Sequence, residues 1–303
     1  MIDKPTILVT SLGRTGTQFF SQLFAHLLPA ATALHEPDVW NVMQYPHMGE
    51  RLRQIRRQLA ESGLWNMTVG KASGHWGLAQ VADARLRGHL AYASAAQELR
   101  RQRARFIATR PGPVYVEANV AFYGLIDVAA SAFAHHRLIY LVRDGRDWVR
   151  SHMNWGELYG NRGWRGRWAR QWPTAPELPG DPYVDQWARM TRFERVCWAW
   201  SRLNAYALQT VTANPHARVF HFEQIFRAAD RDEHLADLVA FATDLPGARP
   251  ATSFAGWLER PIHASAGSFP AWSGWTAPRQ ARFRQICGPL MAQLGYDMEA
   301  RHG

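Results

Sequence analysis

At 303 residues, with 47% hydrophobic and 20% charged side chains, the chain has an ordinary globular composition, which excludes a disordered or fibrous protein. Its 35 basic against 25 acidic residues give a net charge of +10, supplied almost entirely by arginine, so anionic partners are favoured: nucleotide, phosphate, sulfate, nucleic acid or a membrane surface. Two cysteines, Cys197 and Cys287, exclude a disulfide framework and a cysteine-based zinc site, and no window approaches the ~18 uninterrupted apolar residues of a membrane span.

The N-terminal apolar stretch is too short for a signal peptide, so the expectation is a soluble, cytoplasmic protein with both thiols buried and reduced. Thr6–Thr10 (TILVT) reads as a buried strand of the parallel type. It runs through a glycine loop into a helix over Gln18–Leu28, which Pro29 ends. Ala31–Val39 reads as a short extended segment stopped by Pro37, which pushes Glu36 out of the helical region.

Arg51–Arg110 differs in character. RLRQIRRQLA repeats apolar residues at Leu52, Ile55 and Leu59, and a second arginine-rich stretch covers Leu90–Arg105, so surface helices inserted between two sheet strands are expected over about 50–110. Val114–Val116 returns to strand character, followed by a helix over Phe122–Ala134. Arg137–Val142 is another buried strand, which RDGRDWVRSHMNW turns into a helix. A long tryptophan- and arginine-rich loop then covers about 155–185, of the kind that is usually functional. Gln186–Val211 reads as a long helix, Arg218–Phe222 as a last core strand, Asp232–Thr243 and Pro278–Leu294 as helices. Strands alternating with helices, without repeat or linker, predict a single α/β domain with a mainly parallel central sheet flanked by helices.

Two stretches carry chemistry. In LVTSLGRTGTQFF, Gly13 and Gly16 let backbone wrap an anion, Thr15 and Thr17 add hydroxyls, and Arg14 adds a permanent charge at the start of a helix. Aligned to the G-x-x-x-x-G-K-[ST] phosphate loop through Gly16, the chain has Ser11 for the first glycine, Thr17 for the lysine and Gln18 for the magnesium-binding hydroxyl. A magnesium-dependent kinase or NTPase is therefore disfavoured, and no metal site is expected. In IYLVRDGRDWVRSHMNW, Arg143 follows a strand and Ser151 lies about two helical turns later, so both can converge on one phosphate. Arg146 and Arg150 have the alternative of pairing with Asp144 or Asp147.

Together these stretches resemble the 5′-phosphosulfate loop and the 3′-phosphate segment of sulfotransferases that use 3′-phosphoadenosine 5′-phosphosulfate (PAPS), whose fold is P-loop-like. FHFEQIF resembles that family's late strand and turn, and GSFPAWSGWTAPRQARFRQICGPLMAQLGYD its C-terminal cap and final helix. The resemblance implies that Arg14, Thr15, Gly16 and Thr17, with Gly13 and Gln18 completing the loop, hold the phosphosulfate. It further implies that Arg143 and Ser151 bind the 3′-phosphate and that the loop of Gly267 and Ser268 closes over the nucleotide. The chain differs from many members in having Arg14 where they have lysine, and Ala266 and Ser268, neither basic, beside Gly267.

Sulfuryl transfer to an alcohol needs a base for the acceptor proton. Members with EP after the second strand point to Glu36; His35 and Glu117 are the other candidates. The expected partner is a hydroxylated acceptor (less readily an amine): carbohydrate, lipid or small molecule. Eight of the fourteen tryptophans lie between Trp148 and Trp200, a set suited to a sugar or an amphipathic acceptor. The alternative classes are a non-catalytic nucleotide or nucleic-acid binder and a small-molecule kinase; no nucleic-acid partner is expected for the enzyme.

Overall fold

A computed structural model of the chain describes residues 1–37, 48, 49, 52, 55, 56, 59, 77–156, 158–160, 172–259 and 267–297. Among the described residues five strands carry the architecture: β1 Thr6–Ser11, β2 Thr32–His35, β3 Tyr115–Ala118, β4 His136–Val142 and β5 Ala217–His221. They form one sheet in the order β2-β3-β1-β4-β5, and every neighbouring pair is parallel. This is the α/β class with a parallel sheet that the alternation of strands and helices predicts.

The described helices are α1 Thr17–Leu27, α2 Leu78–Leu86, α3 Tyr92–Ala108, α4 Ile126–Ala132, α5 Gly145–Trp155, α6 Arg192–Thr212, α7 Phe222–Phe226, α8 Arg231–Thr243 and α9 Ala277–Gln293. Side chains alternate across the sheet, as the period of two requires. Ile7, Val9, Ile139 and Leu141 join Phe20, Leu23 and Leu235 of α1 and α8 in one core. Leu8, Leu138, Tyr140 and Val142 join Leu99, Trp148, Trp200 and Phe283 of α3, α5, α6 and α9 in the other. Both faces are therefore covered, which is why the strands read as unbroken apolar runs.

The strand order creates one functional place. From β1 the chain leaves toward β2 on one side of the sheet, and from β4 toward β5 on the other, while β1 and β4 are neighbours. Such a switch point opens a crevice outside the carboxyl ends of the two strands. Ser11 pairs with Leu141 there, so the glycine loop and Arg143 emerge side by side.

Several boundaries differ from the sequence expectation, each for a local reason. The helix expected over Phe122–Ala134 is a 3-10 turn, Val120–Gly124, followed by α4. Asn119 caps the turn by accepting from the Ala121 N–H at 2.9 Å. Gly124 packs so closely on α2 that an added Cβ would lie 2.8 Å from the Ala82 Cβ. The long helix begins at Arg192 and not at Gln186, because Thr191 and Glu194 form a reciprocal capping box. The second arginine-rich stretch is α3, and it is not simply a surface helix: Leu99, Arg103 and Ile107 are buried beneath it.

Cys197 and Cys287 are free and buried, and the Cys287 thiol points at the Cys197 carbonyl at 3.4 Å. Most of RLRQIRRQLA, together with Trp164, Trp168 and Ala266, lies outside the described residues. Among the described residues, no helix is long and apolar enough to cross a membrane.

Candidate functional site

The β1–α1 loop is built around two glycines and an arginine with left-handed backbone: Gly13 at φ 81°, Arg14 at 58° and Gly16 at 79°. Ser11 ties the turn internally, accepting from the Gly13 N–H at 3.0 Å and from the Thr15 hydroxyl at 2.5 Å. Gly16 is the N-cap of α1; among the described residues no side chain caps the helix, and its first turn holds no acidic residue. Its first N–H groups and positive dipole end are thus left for an anion. Thr17 is buried with its hydroxyl 3.2 Å from His35 Nε2, while Gln18 is exposed.

Arg14 crosses the switch point. Its Nε donates to Ser151 Oγ at 3.2 Å, and its carbonyl accepts from Arg143 Nη1 at 2.8 Å. Trp148 Nε1 donates to the Gly13 carbonyl at 3.0 Å, and the Arg14 guanidinium lies 6.0 Å from the Trp155 ring. The sequence elements predicted to hold the two ends of a nucleotide therefore meet in direct hydrogen bonds.

Arg143 is held from behind. Trp200 Nε1 donates to its carbonyl at 3.0 Å, and its guanidinium stacks 4.6 Å over Phe222. Asp147 lies 4.0 Å from it and is shared with Arg227 at 2.5 Å. Its Nε is buried and has no hydrogen-bond partner among the described residues. Burial lowers the pKa of both Arg14 and Arg143, and at Arg143 the carboxylates of Asp147 and Glu223 oppose that shift while Arg227 and Arg14 add to it. Two cations held together with few counter-charges form an anion-seeking surface.

Arg146 takes the local alternative: it forms a buried ion pair with Asp144 at 2.7 Å, and Arg150 is exposed on α5. The turn that presents Arg143 is pinned by Glu223, whose carboxylate accepts from the Asp144 N–H at 3.0 Å and from the Tyr296 hydroxyl at 2.9 Å. Burial raises the pKa of Glu223.

Of the three base candidates, His35 and Glu36 follow one another at the carboxyl end of β2. Burial lowers the His35 pKa to about 4, leaving a neutral imidazole at pH 7. Glu36 stands in the left-handed region at φ 43°, its N–H donating to the Ala118 carbonyl at 2.9 Å. A non-glycine residue held there is a costly conformation of the kind that clusters at functional sites. Glu117 leaves the candidate set. It is fully buried and accepts from Arg103 Nε and Nη2 at 2.9 and 2.7 Å, from the Tyr115 hydroxyl at 2.8 Å and from Asn119 Nδ2 at 2.8 Å. No substrate hydroxyl can reach a carboxylate so occupied.

Gly267 reaches the same helix as Ser151. A Cβ on it would lie 2.3 Å from Asn154 Oδ1, the atom that accepts from the Phe269 N–H at 2.7 Å, and Ser268 beside it is exposed. Of the tryptophan cluster, Trp148, Trp198 and Trp200 are core residues, and Trp155 is exposed beside Arg14. Among the described residues, no group of three or more His, Cys, Asp or Glu could hold a metal ion.

One residue of this site escaped the sequence reading. His152 is buried between the rings of Trp148 and Trp155, with centroids 3.9 and 5.4 Å away. Neither ring nitrogen has a hydrogen-bond partner among the described residues. Burial, then Arg14, Arg143 and Arg192, push its pKa well below 6.5. The available signal was spacing: residues 148, 151, 152 and 155 fall on one helical face.

No family model matches the chain, and no curated protein does. Among solved structures it is similar to the sulfotransferase domain from the curacin biosynthetic pathway, at 14% identity and a TM-score of 0.45, over 97% of this chain and 98% of that one. It is also similar to the sulfotransferase domain from the Synechococcus PCC 7002 olefin synthase, at 13% identity and a TM-score of 0.44, over 97% of this chain and 94% of that one.

Proposed function

We propose that the chain is a sulfotransferase that moves a sulfuryl group from PAPS to a hydroxyl acceptor. The observation that carries this reading is the junction of Arg14 with Ser151 and Arg143, which joins a lysine-free glycine loop to a second oxyanion-binding point at one switch point. A donor with phosphosulfate at its 5′ end and phosphate at its 3′ position carries two such groups. The motif resemblance of the loop, the Arg143–Ser151 segment and the C-terminal stretch supports the same reading.

In this mechanism the acceptor oxygen attacks sulfur in line with the bridging oxygen. The new oxygen–sulfur bond forms as the bond to the 5′-phosphate breaks, and adenosine 3′,5′-bisphosphate leaves. Arg14 and the first N–H groups of α1 stabilise the negative charge that grows on the bridging oxygen. Glu36 takes the acceptor proton, with His35, neutral and beside Thr17, as the alternative acceptor of that proton. Arg143 and Ser151 hold the 3′-phosphate.

The test is calorimetric unfolding with adenosine 3′,5′-bisphosphate against ATP plus magnesium, followed by transfer from labelled PAPS across a panel of hydroxyl acceptors. The bisphosphate is expected to raise the unfolding temperature by several degrees more than ATP plus magnesium. Equal shifts, or none, would overturn the reading.

A further inference from the structure

Trp148, Ser151, His152 and Trp155 form one stripe of α5, spaced i, i+3, i+4 and i+7, and the stripe is turned toward the β1–α1 loop. Three of the four meet that loop directly: Trp148 donates to the Gly13 carbonyl, Ser151 accepts from Arg14, and Trp155 lies under the Arg14 guanidinium. His152 sits among them, only 1% exposed, and both its ring nitrogens lack a partner among the described residues. A buried polar group left in that state lowers stability, so its presence calls for a ligand that satisfies it. The charges around it define that ligand. Arg14, Arg143 and Arg192 are the cations that act on it, and Arg192 is spent on the carbonyls of His152, Met153 and Leu158 at the end of α5.

Resting on the anion-site reading above, we propose that His152 is a further side-chain ligand of the tetrahedral oxyanion at the switch point, beside Arg143 and Ser151. A neutral imidazole gives its ring N–H to a phosphate or sulfate oxygen. It thereby adds a donor without adding a third full charge to two adjacent arginines. The two rings that flank it differ. Trp148 is 1% exposed and bonded to the loop, whereas Trp155 is 41% exposed, so the oxyanion reaches the imidazole past Trp155.

The test compares the intact protein with His152→Phe and His152→Gln in titration calorimetry and thermal unfolding. The probes are adenosine 3′,5′-bisphosphate, adenosine 5′-phosphate and inorganic sulfate. His152→Phe keeps a flat ring between the two tryptophans and removes both unpaired nitrogens. It is expected to raise the ligand-free unfolding temperature while weakening the bisphosphate about tenfold, the scale of one hydrogen bond to a charged group. His152→Gln, which retains an N–H donor, is expected to keep most of the affinity. Loss confined to the bisphosphate assigns the imidazole to the 3′-phosphate; equal loss for adenosine 5′-phosphate assigns it to the 5′ group; loss for sulfate alone assigns it to a free oxyanion.

A His152→Phe protein that binds all three probes like the parent, or that merely unfolds more readily with affinity unchanged, overturns the proposal and leaves the sulfotransferase reading standing. A His152→Gln protein no better than His152→Phe also overturns it. A parent protein that binds none of the probes overturns both.

Discussion

Arg14 and Glu36 are the two non-glycine residues of the site that stand in left-handed backbone, at φ 58° and 43°. That conformation costs an L-residue of order 1–2 kcal/mol, which glycine does not pay. On the proposed mechanism, function and stability therefore make opposite demands at both positions. Arg14→Ala is expected to lower turnover ~10²-fold or more, the scale of losing one charge-stabilising donor. Arg14→Gly should lose as much activity while unfolding at an equal or higher temperature. Glu36→Gln should retain bisphosphate binding and lose transfer, and Glu36→Gly should lose transfer and gain stability. An active Glu36→Gln enzyme would pass the proton to His35.

Histidine burial also sets a pH dependence. His35 and His136 have folded pKa values of about 4, against 6.5 for the free side chain, in both cases chiefly through burial. Between those values the unfolded chain binds more protons than the folded one, so stability rises with pH across this window. It is complete above pH 6.5 and is lost as pH falls toward 4. Urea midpoints measured from pH 7.5 to 4.5 should fall, and the fall should be shallower in His35→Gln. An unchanged slope would mean that His35 titrates freely.

At the scale of elements, the pair Arg103–Glu117 explains why an arginine-rich helix covers the sheet. The arginine sits on the inner face of α3, and its fork meets a carboxylate on β3 that is fully buried. Arg103→Ala removes the cation and leaves Glu117 uncompensated, at an expected cost of about 3–5 kcal/mol in denaturant unfolding. A loss below ~1 kcal/mol, the range of exposed pairs, would mean that the pair does not hold α3 to the sheet.

This pair also marks a limit of sequence reading. A glutamate in a strand beside a candidate site looks like a base until the helix that neutralises it is placed. The capping box at Thr191 and Glu194 was, by contrast, legible as T-x-x-E, and the expected start at Gln186 overlooked it. The helix expected over Phe122–Ala134 had no such local mark. Its break depends on Gly124 meeting α2, a contact between segments about forty residues apart.

For the whole molecule, the surplus of positive charge also suits a nucleic-acid binder, and the two classes differ in their salt response. Oligonucleotide affinity falls steeply with salt because many phosphates release counterions. A compact bisphosphate held, as proposed, at Arg14, Arg143 and Ser151 would neutralise few. Adenosine 3′,5′-bisphosphate is therefore expected to bind with a shallow salt dependence, and a single-stranded oligonucleotide weakly at physiological salt. Tight oligonucleotide binding that displaces no bisphosphate would favour the binder.

The local parts were legible along the chain. β1 was legible because a strand buried on both faces must be apolar throughout. The glycine loop was legible because left-handed backbone calls for glycine, and the pair Arg143 and Ser151 because a strand end and a helix face have fixed periods. What these parts do to one another follows from packing alone. Arg14 and Ser151 are 137 residues apart in the chain, and Arg143 and Arg14 are 129 apart. They meet because the order of five strands places β4 beside β1. The same packing withdrew Glu117 into an ion pair and left both His152 ring nitrogens without a partner among the described residues. Side-chain type is a local property of the chain, whereas burial, pairing and the field at a group arise only when distant segments pack.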